Sequence, residues 1–361
     1  MIAVIRTGGS RSRRTDADGG RGNAVYRRDR WACTLDEANL SEHRSFACFQ
    51  FPLIKGMLRE AKELDMRNFG ARMPDIEWPT LMLAILIYAG WIALTALHAQ
   101  VPLPLLIVLG GWLVAWQGSL QHETIHGHPT GVTWVDGAIG FAPLSLWLPY
   151  QLYRRSHLAH HGAKVITDPR HDPESRYRLS RTGALAASLQ SSVIGQMVFG
   201  PALSIGRFLV AETRRAVRDP AAVARDWVPH LIGVAALLWW LDHVGLSLAT
   251  YALAFVYPGT ALTMLRSYAE HRADLTSPGR AAIVERGGLF AVLYLNNNLH
   301  AAHHERPRLA WYRLPAYHRR HRDRFVVQGA PVYRGYGEII RRFAFRSHDD
   351  MVHPNARAQS A

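Results

Sequence analysis

The sequence contains almost no cysteine. Its two cysteines, Cys33 and Cys48, both precede the first long apolar run. The rest of the chain therefore needs no disulfide and offers no thiolate ligand to a metal ion. This cysteine usage fits a reducing compartment such as the cytoplasm.

Lysine and arginine are missing from two long stretches, residues 78–150 and 227–265, although the chain has 42 of them against 28 acidic residues. Soluble proteins seldom segregate charge in this way, whereas proteins that cross a bilayer several times do. The basic excess could indicate a nucleic-acid partner, but no nucleic-acid-binding motif accompanies it. We therefore expect the basic segments to contact lipid headgroups, and we expect no nucleic-acid partner.

Four apolar runs have about the length needed to cross a bilayer, which takes about 20 residues. They are predicted to form two hairpins, from residues 78–98 and 103–120 and from residues 227–241 and 248–265. Two other apolar segments contain charged or polar residues and are not predicted to cross: residues 131–150 are predicted to be interfacial or re-entrant, and residues 183–210 to lie at the membrane surface. Both termini and all basic segments then lie on one side, which the positive-inside rule makes the cytoplasm.

The segments outside the hairpins differ in composition. Residues 1–45 are rich in Arg, Gly, Asp and Ser, contain no signal-peptide core and are predicted to be a disordered basic extension. Residues 46–77 are predicted to form an amphipathic segment before the membrane, residues 78–325 the membrane domain and residues 326–361 a C-terminal tail. The predicted fold is all-α and integral to the membrane, with four transmembrane helices in two hairpins and a cytoplasmic helical cap.

Three histidine clusters, boxes one to three, lie in that cap at residues 122–126, 157–161 and 300–304. Positions i, i+3 and i+4 share one face of a helix, so each box directs its imidazoles toward a common point. Imidazole is the commonest metal-ligating side chain, and eight imidazoles are too many for one ion. We therefore predict a site for two metal ions held by His122, His126, His157, His160, His161, His300, His303 and His304.

Carboxylates at ligand spacing are missing from these boxes, unlike the paired Glu and Glu-x-x-His motifs of soluble di-iron bundles. A site built from neutral imidazoles leaves its metal ions cationic and suited to activating dioxygen. Such an oxidant is useful on the unactivated C–H bonds of an apolar membrane substrate. Desaturation and the hydroxylation or ketone formation of a lipid or carotenoid begin with the same hydrogen abstraction, so both reactions stay open.

The boxes, H-x-x-x-H, H-x-x-H-H and H-x-x-H-H, together with a hairpin between boxes two and three, resemble the membrane fatty acid desaturase family over roughly residues 78–325. The resemblance implies a non-haem di-iron centre, dioxygen as co-substrate and the formation of a C=C bond in a fatty acyl chain or a related amphiphile. It also implies a bilayer location and electrons from a separate protein, such as a ferredoxin, a cytochrome or a similar reductase.

The same resemblance implies further site residues. His271, just past the fourth predicted span, stands where such enzymes place a ninth ligand. Asn296 could hold a metal-linked water, although Asn297 and Asn298 are equally plausible helix caps. Asp168 and Asp172 could orient ligand imidazoles or simply cap turns.

Two short sequence segments, residues 122–129 and 311–315, resemble those of a bacterial subgroup of the family. That subgroup includes the desaturase that forms the enol-ether double bond of rhizobitoxine. The resemblance makes dihydrorhizobitoxine a candidate substrate and the bacterial inner membrane the expected location.

Two other classes of protein compete with this interpretation. Box one is also a literal H-E-x-x-H motif, in which Glu123 would be the general base of an intramembrane zinc protease. Such a site needs three protein ligands and one zinc ion, and it leaves boxes two and three without a role. A metal transporter would place its ligands near the bilayer midplane, whereas these boxes lie at or beyond the ends of the spans.

Overall fold

The computed structural model describes residues 76–179, 184–274 and 279–357 of the chain. The predicted disordered extension, both cysteines and nearly all of the predicted amphipathic segment lie outside the described residues. The helices are, in chain order, α1 (Trp78–Ala96), α2 (Leu103–Ile125), α3 (Thr133–Gly140), α4 (Tyr150–His161), α5 (Ala184–Leu189), α6 (Val193–Arg218), α7 (Pro220–His243), α8 (Leu248–Tyr251), α9 (Tyr257–Glu270), α10 (Leu289–Leu293), α11 (His300–Glu305), α12 (Leu314–Val327), α13 (Tyr336–Phe343) and α14 (Pro354–Arg357).

Five helical segments of the described chain are long and apolar enough to cross a membrane: α1, α2, α6, α7 and the continuous segment Leu248–Glu270. The last of these comprises α8, a π-helical turn (Ala252–Val256) and α9. Four of the five coincide with the predicted spans, and the protein is integral to the membrane. The fifth, α6, contains most of the segment that the sequence assigned to the membrane surface.

Small residues let α2 approach the second hairpin closely. An added Cβ at Gly110 would lie 2.7 Å from the backbone oxygen of Ala254, and one at Gly111 would lie 2.8 Å from Pro258. Side chains larger than hydrogen would force these helices apart. Such small-residue contacts are the usual way in which helices pack within lipid. The α2–α9 contact therefore fixes the relative positions of the two segments that end at His126 and His271.

The outer faces of α1 and α7 are apolar. Leu86 on α1 and Ile232 on α7 are 58 % and 66 % exposed, respectively. In water such faces would favour aggregation, but in a bilayer they meet a solvent as apolar as themselves.

Two short strands depart from the all-α prediction. β1 (Ile283–Arg286) pairs in parallel with β2 (Val332–Gly335), with Ile283 opposite Val332. The connection between them contains box three, and its backbone is fixed to β1 because the N–H of Val284 donates to the oxygen of Asn298 at 2.8 Å. The residues predicted as a tail contribute β2 and α13, whose Tyr336 and Ile339 are buried.

Candidate metal centre

The nine predicted histidine ligands lie in two adjacent groups. Within each group the candidate ligand nitrogens all lie within 4.8 Å of one another. We name these the five-histidine group and the four-histidine group. The first consists of His122, His126, His157, His161 and His303, and the second of His160, His271, His300 and His304.

Different elements bring these side chains together. Box one occupies the last turn of α2, box two the last turns of α4 and box three most of α11. His271 directly follows α9, where the backbone becomes extended. Because α2 and α9 pack closely, His271 lies near the boxes although it is far from them in sequence.

Three of the histidines have their Nδ1 atoms held by side-chain oxygens. The Nδ1 of His157 lies 3.1 Å from a carboxylate oxygen of Glu174, and that of His160 lies 2.8 Å from Asp172. The Nδ1 of His300 lies 3.0 Å from the side-chain oxygen of Asn297. Since a carboxylate or amide oxygen accepts a hydrogen bond, each Nδ1 has the proton and each Nε2 presents a lone pair.

Those lone pairs face one another. The Nε2 atoms of His160 and His304 are 3.2 Å apart, and those of His126 and His157 are 3.0 Å apart. The buried Nε2 of His122 has no hydrogen-bond partner among the described residues. Converging lone pairs of buried, neutral imidazoles repel one another unless a cation lies between them. The donor set therefore fits two metal ions of the kind that imidazole prefers, such as iron, zinc or copper.

Burial favours the uncharged form of several of these imidazoles. It lowers the pKa of His161 to about 3, with the neighbouring His157 and His160 adding to the effect. The pKa values of His303 and His304 are also well below the usual value, again chiefly because of burial. Metal binding requires neutral imidazole, so these three ligands are in the required state at neutral pH without a proton having to leave.

The residues predicted to orient the ligands have different positions. Asp172 contacts His160, as described above. Asp168 instead accepts hydrogen bonds from the N–H of Arg170 and from Asn355, at 3.0 and 2.9 Å. The amide of Asn296 donates to the backbone oxygen of Trp311, at 3.0 Å, and its neighbour Asn297 is the residue beside His300.

Two orienting residues, Glu174 and Asn297, were not singled out from the sequence. Asn297 was weighed only as a helix cap, yet it precedes His300 by three residues, a spacing compatible with its contact to Nδ1. Its amide also donates to Glu270 at 3.0 Å, and Glu270 lies 2.9 Å from the guanidinium of Arg266. A buried chain of polar contacts thus joins Arg266 on α9 to the four-histidine group. No local sequence pattern links Glu174 to His157, because they meet through the loop that follows α4.

Comparison with known families decides the class of the protein. The sequence profile described as fatty acid desaturase matches residues 98–336, about two thirds of the chain and all three boxes. The chain belongs to the fatty acid desaturase family. Searches of curated proteins and of solved structures gave no match. This desaturase is therefore an oxidoreductase, and its histidine groups are consistent with the metal centre of that family.

Glu123 of the H-E-x-x-H motif is buried in the desaturase, and both of its carboxylate oxygens contact groups other than the Nε2 atoms. One of its carboxylate oxygens accepts the N–H of Trp311 at 3.2 Å, and the other lies 3.5 Å from the Nδ1 of His122. The general base of a zinc peptidase must contact the water on the metal. Glu123 instead tethers box one to the segment that follows box three.

A cavity of about 200 Å³ reaches the four-histidine group and continues between α2 and α9. Most of the wall surface is apolar, but polar side chains are present, and Trp147 and Ser156 are among those with a buried polar atom that has no hydrogen-bond partner among the described residues. The lining at the histidine end is His157, His160, His271 and His300, and between the helices it includes Gln117, Gly118, Gln121, Thr260, Thr263 and Met264.

Proposed function

We propose that this desaturase is a di-iron, oxygen-dependent enzyme that forms a C=C bond in an amphiphilic or lipid-like substrate. In the overall reaction, the substrate loses two hydrogens from adjacent carbons, and dioxygen takes up these two hydrogens with two electrons and two protons to give two waters. The observation that supports this proposal is the convergence of nine imidazoles into two adjacent groups. One ion would be held by each group.

The protein's own contribution is to hold the metal ions and to orient the imidazoles that bind them. Iron bound by the two groups would supply the oxidising power, through dioxygen, that an unactivated C–H bond requires. Glu174, Asp172 and Asn297 fix the orientation and tautomer of their histidines, which keeps each Nε2 available as a ligand. Burial of the groups excludes bulk water from the reacting carbon.

We infer that four of the five candidate helices cross the bilayer and that α6 does not. The carbonyl of Ser191, just before α6, accepts the hydroxyl of Tyr268, three residues before His271. Near the other end of α6, Arg215 donates to Asp226, and Asp226 also pairs with Arg155 on α4. One end of α6 therefore contacts α9, and the other end is joined through Asp226 to α4, which contains box two. Both ends lie on the side of the metal ligands, so we infer that the helix lies along the membrane surface. The excess of basic residues makes that side the cytoplasm.

The cavity suits an amphiphilic substrate, because its wall is mostly apolar but includes hydrogen-bonding groups. A chain lying between α2 and α9 would bring one carbon against the four-histidine group. The unpartnered atoms of Trp147 and Ser156 could bind a carbonyl, carboxylate or ether oxygen of the same molecule. Dihydrorhizobitoxine, an amino-acid amphiphile, is the specific candidate that the subgroup resemblance supplies.

An exposed basic surface next to box three suits the approach of an acidic electron-transfer protein. We define the arginine surface as the exposed Arg306, Arg308, Arg313, Arg319, Arg320, Arg322 and Arg324. It lies on and before α12, which packs against α11, and Arg324 pairs with Glu305, the neighbour of His304. Charge complementarity mainly raises the rate at which such a partner associates.

Expression in a host without such an activity, followed by lipid and metabolite profiling, tests the proposed function. We expect a product two mass units lighter than its substrate, formed only with dioxygen, and about two irons per purified chain. Glu123→Gln should retain iron and most of the activity, because Glu123 contacts backbone and Nδ1 atoms. A protein that hydrolyses peptides through zinc and is inactivated by Glu123→Gln would contradict the proposal.

A further inference from the structure

The C-terminal region of this desaturase lies against the loop that orients the ligands of box two, although it is outside the part that matches the family. The match ends at residue 336. We define the C-terminal strap as residues 347–355 and the carboxylate loop as residues 162–178, which follows box two. The strap runs along the carboxylate loop.

Backbone hydrogen bonds join the strap to the end of the carboxylate loop. The N–H of Arg178 donates to the oxygen of Met351 at 2.8 Å, and the N–H of His353 donates to the oxygen of Arg178 at 2.9 Å. These two bonds form a short parallel bridge between the segments.

Side chains of the strap contact the loop at three further places. The buried imidazole of His353 accepts the N–H of Asn355 at Nδ1, so its Nε2–H donates to the hydroxyl of Thr167, 3.2 Å away. Asn355 donates to Asp168 at 2.9 Å. Asp349 forms an ion pair with Arg176 and accepts the hydroxyl of Tyr177.

One of the loop positions held in this way, Thr167, supports the residues that orient the ligands. Thr167 has a φ of +80°, a left-handed conformation that a β-branched residue adopts only when its surroundings enforce it. In that conformation its N–H donates to Asp172 at 2.8 Å. Asp172 also accepts the N–H of Glu174 at 2.8 Å, so the carboxylates that contact His160 and His157 depend on one loop conformation.

We propose that the C-terminal strap positions the metal ligands of box two through the carboxylate loop. His353 and Asn355 act on Thr167 and Asp168, and the loop in turn holds the carboxylates of Asp172 and Glu174. Because His157 belongs to the five-histidine group and His160 to the four-histidine group, the strap affects both metal positions. The inference rests on the proposed di-iron function.

The test is the double variant His353→Ala/Asn355→Ala in the full-length protein, purified and loaded with ⁵⁷Fe(II). Removing residues that orient ligands typically costs 10- to 100-fold in metal affinity, and the strap acts one contact further away. We therefore expect iron to pass to a chelator about 10-fold faster than from the parent. The Mössbauer quadrupole splitting of the double variant should differ from that of the parent. The conservative variant His353→Gln, which retains an N–H donor, should show most of the parent behaviour.

Arg346→Ala, an exposed change just before the strap, is the matched control and should leave iron release unchanged. Helical circular dichroism and gel filtration establish that each variant folds. If the double variant does not fold, Asn355→Ala alone should give a smaller change in the same direction. A folded variant with the parent's release rate and spectrum would overturn the inference alone, whereas a parent protein that binds no iron would overturn the proposed function.

Discussion

Boxes two and three have the same H-x-x-H-H pattern but divide their histidines in opposite ways. In box two, the i and i+4 residues His157 and His161 belong to the five-histidine group, and His160 belongs to the other. In box three, His300 and His304 belong to the four-histidine group, and His303 belongs to the other. Each box thus links the two groups, and neither metal position depends on one helix alone.

The two boxes also differ in what orients them. Box two relies on the carboxylates of Asp172 and Glu174, on a loop held by the C-terminal strap. Box three relies on the neutral amide of Asn297, within a polar chain that reaches Arg266. A carboxylate increases the basicity of its histidine more than an amide does. The imidazoles that are oriented in box two should therefore be more basic ligands than the one oriented in box three.

The largest effect should come from removing the i+3 histidine of box two or of box three, which belongs to a different group from the other two histidines of its box. His160→Ala and His303→Ala should each lower product formation at least ~100-fold, because removing even a residue that only orients a ligand costs up to ~100-fold. Bound iron should fall as well, while membrane insertion is retained. Product assays and iron analysis provide the measurement, with His243→Ala, an exposed residue at the end of α7, as the control. Retained desaturation in either variant would refute the assignment of that histidine.

A smaller effect should distinguish the two kinds of orienting residue. Asp172→Ala removes a charged partner of His160 and two backbone hydrogen bonds, so iron affinity should fall by up to ~100-fold. Asn297→Ala removes one neutral contact to His300 and should cost about 10-fold. Chelator competition measures both values. Equal losses would show that the charge of the orienting group does not matter here.

The smallest effect should appear at the arginine surface beside box three. Arg319→Glu/Arg320→Glu should raise the KM for an acidic electron donor several-fold at low ionic strength and leave kcat unchanged, because surface charge acts on association. Arg218→Glu, an exposed change on α6, is the matched control. Steady-state kinetics at two salt concentrations measure the effect. A KM that changes with neither the substitution nor the salt concentration would show that the arginine surface does not bind the electron donor.

Much of the architecture could be predicted because it follows from local patterns. Runs without Lys or Arg correspond to four of the five candidate spans. The small β1–β2 pair could not be found in this way, since its strands have four residues each and lie far apart in sequence. Nor could the choice of Asn297 over Asn296 beside His300, because that depends on the turn in which Leu295 and Asn296 adopt positive φ values.

The sequence by itself determined which imidazoles share a helical face and that these faces end apolar segments, because helical spacing and hydropathy are properties of neighbouring residues. Only the tertiary structure decided how nine histidines divide between two groups, since that division depends on where α2, α4, α9 and α11 meet. It also decided which oxygens face Nδ1 of three of them. The contacts of Glu174 with His157 and of Asp172 with His160 form through a loop that has no periodicity to reveal them, and the contact of Asn297 with His300 depends on the turn before box three.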